Sequence, residues 1–183
     1  MMDNYIRIYE NMISETDCQR WIDMFEKDTE HHQIQDNGSG ATLTQINMLH
    51  SPDTMWKDEW KIVGKILIEG IEKYKNDCNI KANQWPNKFI FEPPKIKRYK
   101  PDCKSDWFPE HVDVLGKETA SRFLVAFLYL DDNVAGKTYV TDVVSECKKG
   151  SLLLFPPMWP WLHTGEQPVG KPKYIIGSYL SYV

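Results

Sequence analysis

"KFIFEPPKIKRYK", Lys88–Lys100, is where the pattern of the chain changes. Before it, apolar residues recur at helical spacing. From Phe89 onward they come in short runs rich in β-branched and aromatic residues, separated by Gly, Pro, Asn and Asp. "SRFLVAFLYL" (121–130), "KTYVTDVV" (137–144), "GSLLLFPP" (150–157) and "KPKYIIGSYLSYV" (171–183) repeat that character. Two helices followed by several closely spaced strands predict an α+β fold. The β unit is a sandwich, barrel or jelly roll, with the helices packed on one outer face. No linker or repeat argues for a second domain. Residues 1–183 read as one unit, with a helical N-terminal part over about 1–85 and a β core over about 88–183.

Upstream, "ISETDCQRWIDMFEKDTE" places Ser14 as N-cap with Asp17 three residues on. Cys18, Trp21, Ile22 and Phe25 form one apolar stripe. "YIRIYE" and "TLTQINML" read as short strands, and "DNGSGA" as a turn. "SPDTMWKDEWKIVGKILIEGIEKYKND" predicts a second helix capped at Ser51–Pro52. Trp56, Trp60, Val63, Leu67, Ile71 and Tyr74 recur at helical spacing and read as core.

The chain carries net charge −4, which offers no basic footprint for nucleic acid. The lysines of "PPKIKRYK" and "ECKKG" read as solvated strand ends. The N-terminus lacks a signal-type apolar run, and no segment approaches 18 consecutive apolar residues. Cys18, Cys78, Cys103 and Cys147 form no CxxC pair. The expectation is a cytoplasmic protein with free thiols and no membrane or nucleic-acid partner. Its oligomeric state is open.

Within "FPEHVDVLG" (108–116), His111 and Asp113 stand two apart. Residues i and i+2 of a strand share a face, so both can aim at one point while Val112 turns into packing. Alone, His-x-Asp arises readily by chance. His31, His32 and His50 read as surface or capping residues. His163, at the end of the apolar run "GSLLLFPPMWPWLH", reads either as a satisfied core histidine or as a third ligand. Two histidines and one carboxylate on strands form the facial triad of non-heme Fe(II) oxygenases, with open positions for a co-substrate and dioxygen. Zinc would prefer a tetrahedral site with one water. Lys173, ten residues after His163, can face inward from the last strand and meet a carboxylate there. The other reading is a solvated strand end, as for Lys171.

His111-x-Asp113, His163 and Lys173, in this order, resemble the iron- and 2-oxoglutarate-dependent dioxygenases, and most the prolyl 4-hydroxylase branch. The resemblance covers roughly Ile96 to Val183. It implies a double-stranded β-helix (jelly roll), Fe(II) held by His111, Asp113 and His163, and 2-oxoglutarate and O2 as co-substrates. Ascorbate is a further candidate. "RYKP" resembles the family's Arg-Tyr strand, which would bring Tyr99 to the co-substrate. "FLYLDD" is similar to its Tyr-Leu-Asn strand, which would bring Tyr129 beside Lys173. Ala135-Gly136-Lys137-Thr138 departs from the family's Gly-Gly-Glu-Thr. The segment between Tyr99 and His111 is longer than usual. Its Trp107 and Phe108, with Tyr179 as a pocket wall, are candidates for the substrate cleft, although Trp107 reads equally as loop packing.

The resemblance implies hydroxylation of a C–H bond of a prolyl residue in a peptide or protein, with release of succinate and CO2. Rival readings are the same chemistry on a free amino acid or other small molecule, a silent jelly-roll binding module, and a zinc hydrolase. Nucleic-acid demethylation is disfavoured by the acidic chain and by a last strand without arginine.

Overall fold

The computed structural model describes residues 2–36, 40–49, 55–101, 103 and 105–183. Among the described residues the two α-helices are α1 (Glu15–Lys27) and α2 (Glu59–Asp77). The strands are β1 (Arg7–Tyr9), β2 (Gln33–Asp36), β3 (Thr42–Asn47), β4 (Phe89–Phe91), β5 (Lys95–Tyr99) and β6 (Phe108–His111). They continue with β7 (Arg122–Tyr129), β8 (Thr138–Val140), β9 (Val143–Ser145), β10 (Leu152–Phe155), β11 (His163–Gly165) and β12 (Lys173–Tyr182). Among the described residues, an eight-stranded sheet runs β1-β10-β7-β12-β5-β3-β2, with β4 also paired to β12. A four-stranded sheet runs β6-β11-β8-β9. The pairings are antiparallel, and the whole is jelly-roll-like.

The large sheet has two apolar faces. Ile46, Ile96, Ala126, Leu128, Leu152, Leu154, Tyr174 and Ile176 share a core with Cys18, Trp21 and Phe25 of α1 and with Val63, Leu67 and Ile71 of α2. The alternate residues Leu43, Tyr99, Val125, Tyr129, Leu153, Phe155 and Ile175 belong to a second core, which includes Val140 of the small sheet. Strand alternation therefore separates a helix-covered side from a side that faces the small sheet.

Ser14 caps α1, its hydroxyl accepting the Asp17 N–H at 3.0 Å. α2 begins at Glu59, later than the periodicity predicts. Trp56 precedes it and is fully buried, donating Nε1–H to Asp28 at 2.7 Å. Trp60 is 36% exposed, not core, because the helix turns that position toward solvent. His50, the Ser51–Pro52 cap and the Asn37–Ser39 centre of the "DNGSGA" turn lie outside the described residues. Residues before 88 supply strands as well as helices, since β1, β2 and β3 all belong to the large sheet. None of the described helices is long and apolar enough to cross a membrane.

Candidate metal centre

His111 ends β6 and His163 begins β11, and the two are direct partners across the ladder. That register places both imidazoles on one face, with ring centroids 4.1 Å apart. Asp113 lies beyond the end of β6 and not within a strand. Its position comes from its backbone N–H, which donates to the Pro157 carbonyl at 3.0 Å. Val112 lines an outer cleft instead of packing inward.

Each imidazole is fixed through its Nδ1. His111 Nδ1 lies 2.7 Å from the Pro109 carbonyl, and His163 Nδ1 lies 3.1 Å from the Trp161 carbonyl. Carbonyls only accept, so Nδ1 of each ring carries a proton and Nε2 is turned inward. His111 Nε2 lies 3.6 Å from Asp113 Oδ1, and His163 Nε2 lies 3.3 Å from Asp113 Oδ2. The three ligand atoms all fall within 4.8 Å of one another. With metal–ligand bonds of about 2.1 Å, donors at right angles stand about 3 Å apart, so the set fits one cation. His163 Nε2 and Asp113 Oδ2 are buried without a hydrogen-bond partner. His111 Nε2, His163 Nε2 and the Asp113 carboxylate converge on one point that could hold a metal ion.

Asp113 is also held from the sheet. Tyr179 donates its hydroxyl to Asp113 Oδ1 at 2.7 Å, and the Arg122 guanidinium lies 4.0 Å from the Tyr179 ring centroid. Burial alone would raise the Asp113 carboxyl. The two imidazoles and the Tyr179 hydroxyl outweigh it and hold the group below the usual carboxylate range. Tyr179 is thus a partner of the acidic ligand as well as a wall. Its sequence signal was only an aromatic in the last strand.

Beside His111, Asp113 and His163 lies an inner cavity, with Tyr99, Phe108, Phe127, Thr138, Lys173 and Ile175 among its lining. Lys173, 3% exposed, begins β12 opposite Tyr99. Its ammonium lies 5.6 Å from the ring centroids of both Tyr99 and Tyr129 and makes no ion pair among the described residues. Burial lowers its ordinary value. Burial also pushes the Tyr99 and Tyr129 hydroxyls up, so both stay protonated donors. Tyr129 donates to Thr138 Oγ1 at 2.8 Å. Lys137 of the departing turn is outside, paired with Glu146 at 2.8 Å.

An outer cleft shares Lys97, Phe108, His111, Asp113 and Tyr179 with this cavity. The Phe108 ring packs against His111, tilted at 43° with centroids 4.3 Å apart. Trp107, 37% exposed, lines neither space and sits over Thr164–Gln167. The long segment before His111 is anchored by buried Asp106, which accepts from the Lys100 N–H at 2.8 Å and from Thr42 Oγ1 at 3.0 Å. Lys95 and Lys97 are not the solvated strand ends expected. Both are half-buried and line the outer cleft. Face alternation along β5 from Tyr99 was the signal available for them.

Neither a family model nor a curated protein matches the chain by sequence. Solved structures do match. The 2-oxoglutarate complex of the viral collagen prolyl hydroxylase of Paramecium bursaria Chlorella virus-1 is 18% identical, with TM-score 0.67 over 98% of this chain and 96% of that one. The Trichoplax adhaerens prolyl hydroxylase, in complex with a hypoxia inducible factor oxygen degradation domain peptide fragment, is 13% identical, with TM-score 0.71 over 97% and 84%. A Pseudomonas putida prolyl-4-hydroxylase is 12% identical, with TM-score 0.63 over 97% and 92%. The chain shares the fold of these prolyl hydroxylases.

Proposed function

We propose that the protein is an Fe(II)- and 2-oxoglutarate-dependent dioxygenase built on a double-stranded β-helix, acting on a prolyl residue of a peptide or protein. The observation that carries this reading is the pair of Nδ1-anchored imidazoles turned on Asp113 across one ladder rung. Such a two-histidine, one-carboxylate set suits Fe(II) and leaves coordination positions for other ligands. The fold shared with structures named as prolyl hydroxylases, one of them holding a peptide fragment, supports the peptide substrate. When bound, Fe(II) and 2-oxoglutarate supply oxidative decarboxylation to succinate and CO2, coupled to transfer of one O2 oxygen atom into a substrate C–H bond.

The residues supply the rest. His111, Asp113 and His163 hold the metal. Lys173 receives the far carboxylate of 2-oxoglutarate, a charge-assisted contact inside an apolar wall, which explains an otherwise unpaired buried ammonium. Tyr129 keeps Thr138 in place beside it, and Tyr99 closes the same end. Phe108, Phe127 and Ile175 exclude water from the cavity.

An anaerobic Fe(II) titration with 2-oxoglutarate should give a weak visible charge-transfer band, and its absence at saturation would sink the assignment. His163→Ala and Asp113→Ala should each abolish succinate release. Unchanged turnover in either would remove that ligand from the set. Lys173→Ala should raise the 2-oxoglutarate requirement about tenfold or more, as expected for loss of a charge-assisted contact.

A further inference from the structure

We infer that the outer cleft recognises a substrate carboxylate held close to the carbon that is hydroxylated, with Lys97 and Lys95 as its receptors. The inference rests on the oxygenase reading and narrows its substrate. Lys95, Lys97 and Tyr99 lie at i, i+2 and i+4 of β5, so one strand face runs from the inner cavity to the outer cleft. Lys97 lines both spaces, and Lys95 lines only the outer one.

The charges of the cleft do not cancel. Arg122 is neutralised by Glu92 through Nε at 2.6 Å and Nη2 at 2.8 Å. Ser181 also donates to that Glu92 carboxylate, at 3.1 Å. Asp113 is committed to the ligand cluster. Lys95 and Lys97 make no ion pair among the described residues, and the Lys97 ammonium lies 6.0 Å from the Phe127 ring centroid. Burial pushes Lys97 down to about 8, so an anion arriving there would find a poorly solvated cation. The inner cavity already has its own ammonium in Lys173. That leaves Lys97 and Lys95 for the second organic substrate. Gly177, opposite Lys95, makes room for this: a Cβ there would stand 3.3 Å from the Phe127 ring and 3.7 Å from Lys97 Cε.

The test uses proline pentapeptides blocked at both ends, with Glu, Gln or Lys beside the proline, and free L-proline as a separate arm. Turnover is read as succinate release and product mass. Binding is read by tryptophan quenching of Mn(II)-loaded protein. The Glu peptide should bind and react with a KM about tenfold below its Gln counterpart, and the Lys peptide should be poorest. Lys97→Gln should erase that ranking and Lys97→Glu invert it. Preference for free L-proline over the blocked Glu peptide would keep the carboxylate and move its source to the chain terminus. Equal binding of Glu and Gln peptides, with free L-proline binding no better than either, would overturn the inference. So would a raised 2-oxoglutarate requirement in Lys97→Gln with peptide affinity unchanged. The binding comparison stands whether or not the charge-transfer band forms, so loss of the oxygenase reading and loss of the charge reading are separate results.

Discussion

Tyr179 shows what a single hydroxyl does at this site. It donates to Asp113 Oδ1 and leaves Oδ2, beside His163 Nε2, free to face the metal position. Groups that orient a ligating carboxylate typically change metal affinity about 10–100-fold. Tyr179→Phe keeps the ring under Arg122 and removes only the donor. It should weaken Mn(II) or Fe(II) binding by about tenfold with little change in thermal stability. Unaltered affinity would reduce Tyr179 to a wall. At this scale much was legible beforehand. His111, Asp113, His163 and Lys173 announce themselves by chemistry and spacing, and the structure brings them together. The tyrosine did not, because nothing in the last strand says which aromatic reaches a carboxylate sixty-six positions away. Lys97 was misread for a related reason. A lysine near a strand end is usually solvated, and only the neighbouring strands reveal that this one is walled in.

The elements divide the labour. α1 and α2 cover one face of the large sheet, and the ligands stand on the other side of it. Ser14→Ala removes the cap of α1 and should cost about 1 kcal/mol in chemical denaturation. Metal binding should be unchanged, since α1 shares no residue with either cavity. A shift in metal affinity in that variant would show that the sheet transmits what it is taken to insulate. The first helix could be read closely because cap and stripe agree locally. The second could not: Trp56 continues the helical spacing yet is placed by its hydrogen bond to Asp28, a contact between distant segments. The early strands were readable as strands, but their membership of the main sheet was not. β3 joins through β5, a pairing that spans about fifty residues of sequence.

At the scale of the whole molecule, one sheet serves two cores. Leu154 lies on the helix side and is fully buried. Leu154→Ala should lower stability by about 2–5 kcal/mol while leaving the 2-oxoglutarate requirement near its original value, as measured below the melting transition. A changed requirement would mean that the cavity depends on packing behind the sheet. The shared β architecture was legible from the rhythm of short apolar runs. The allocation of faces was not, because "LLLF" is apolar at every position and carries no alternation of its own. Once the registers are known, a numerical regularity emerges. On β3, β5, β10, β12 and β7 from Leu124 onward, odd-numbered residues look toward His111, Asp113 and His163 and even-numbered residues toward the helices, while the register shift at Leu180/Ser181 reverses this for Arg122 and Phe123. Chemistry and stability are thus written in opposite parity on the same five segments. Substitutions can alter one message and spare the other. Insertion or loss of a single residue inside such a segment exchanges the two, whereas a change of length in the intervening loops preserves both.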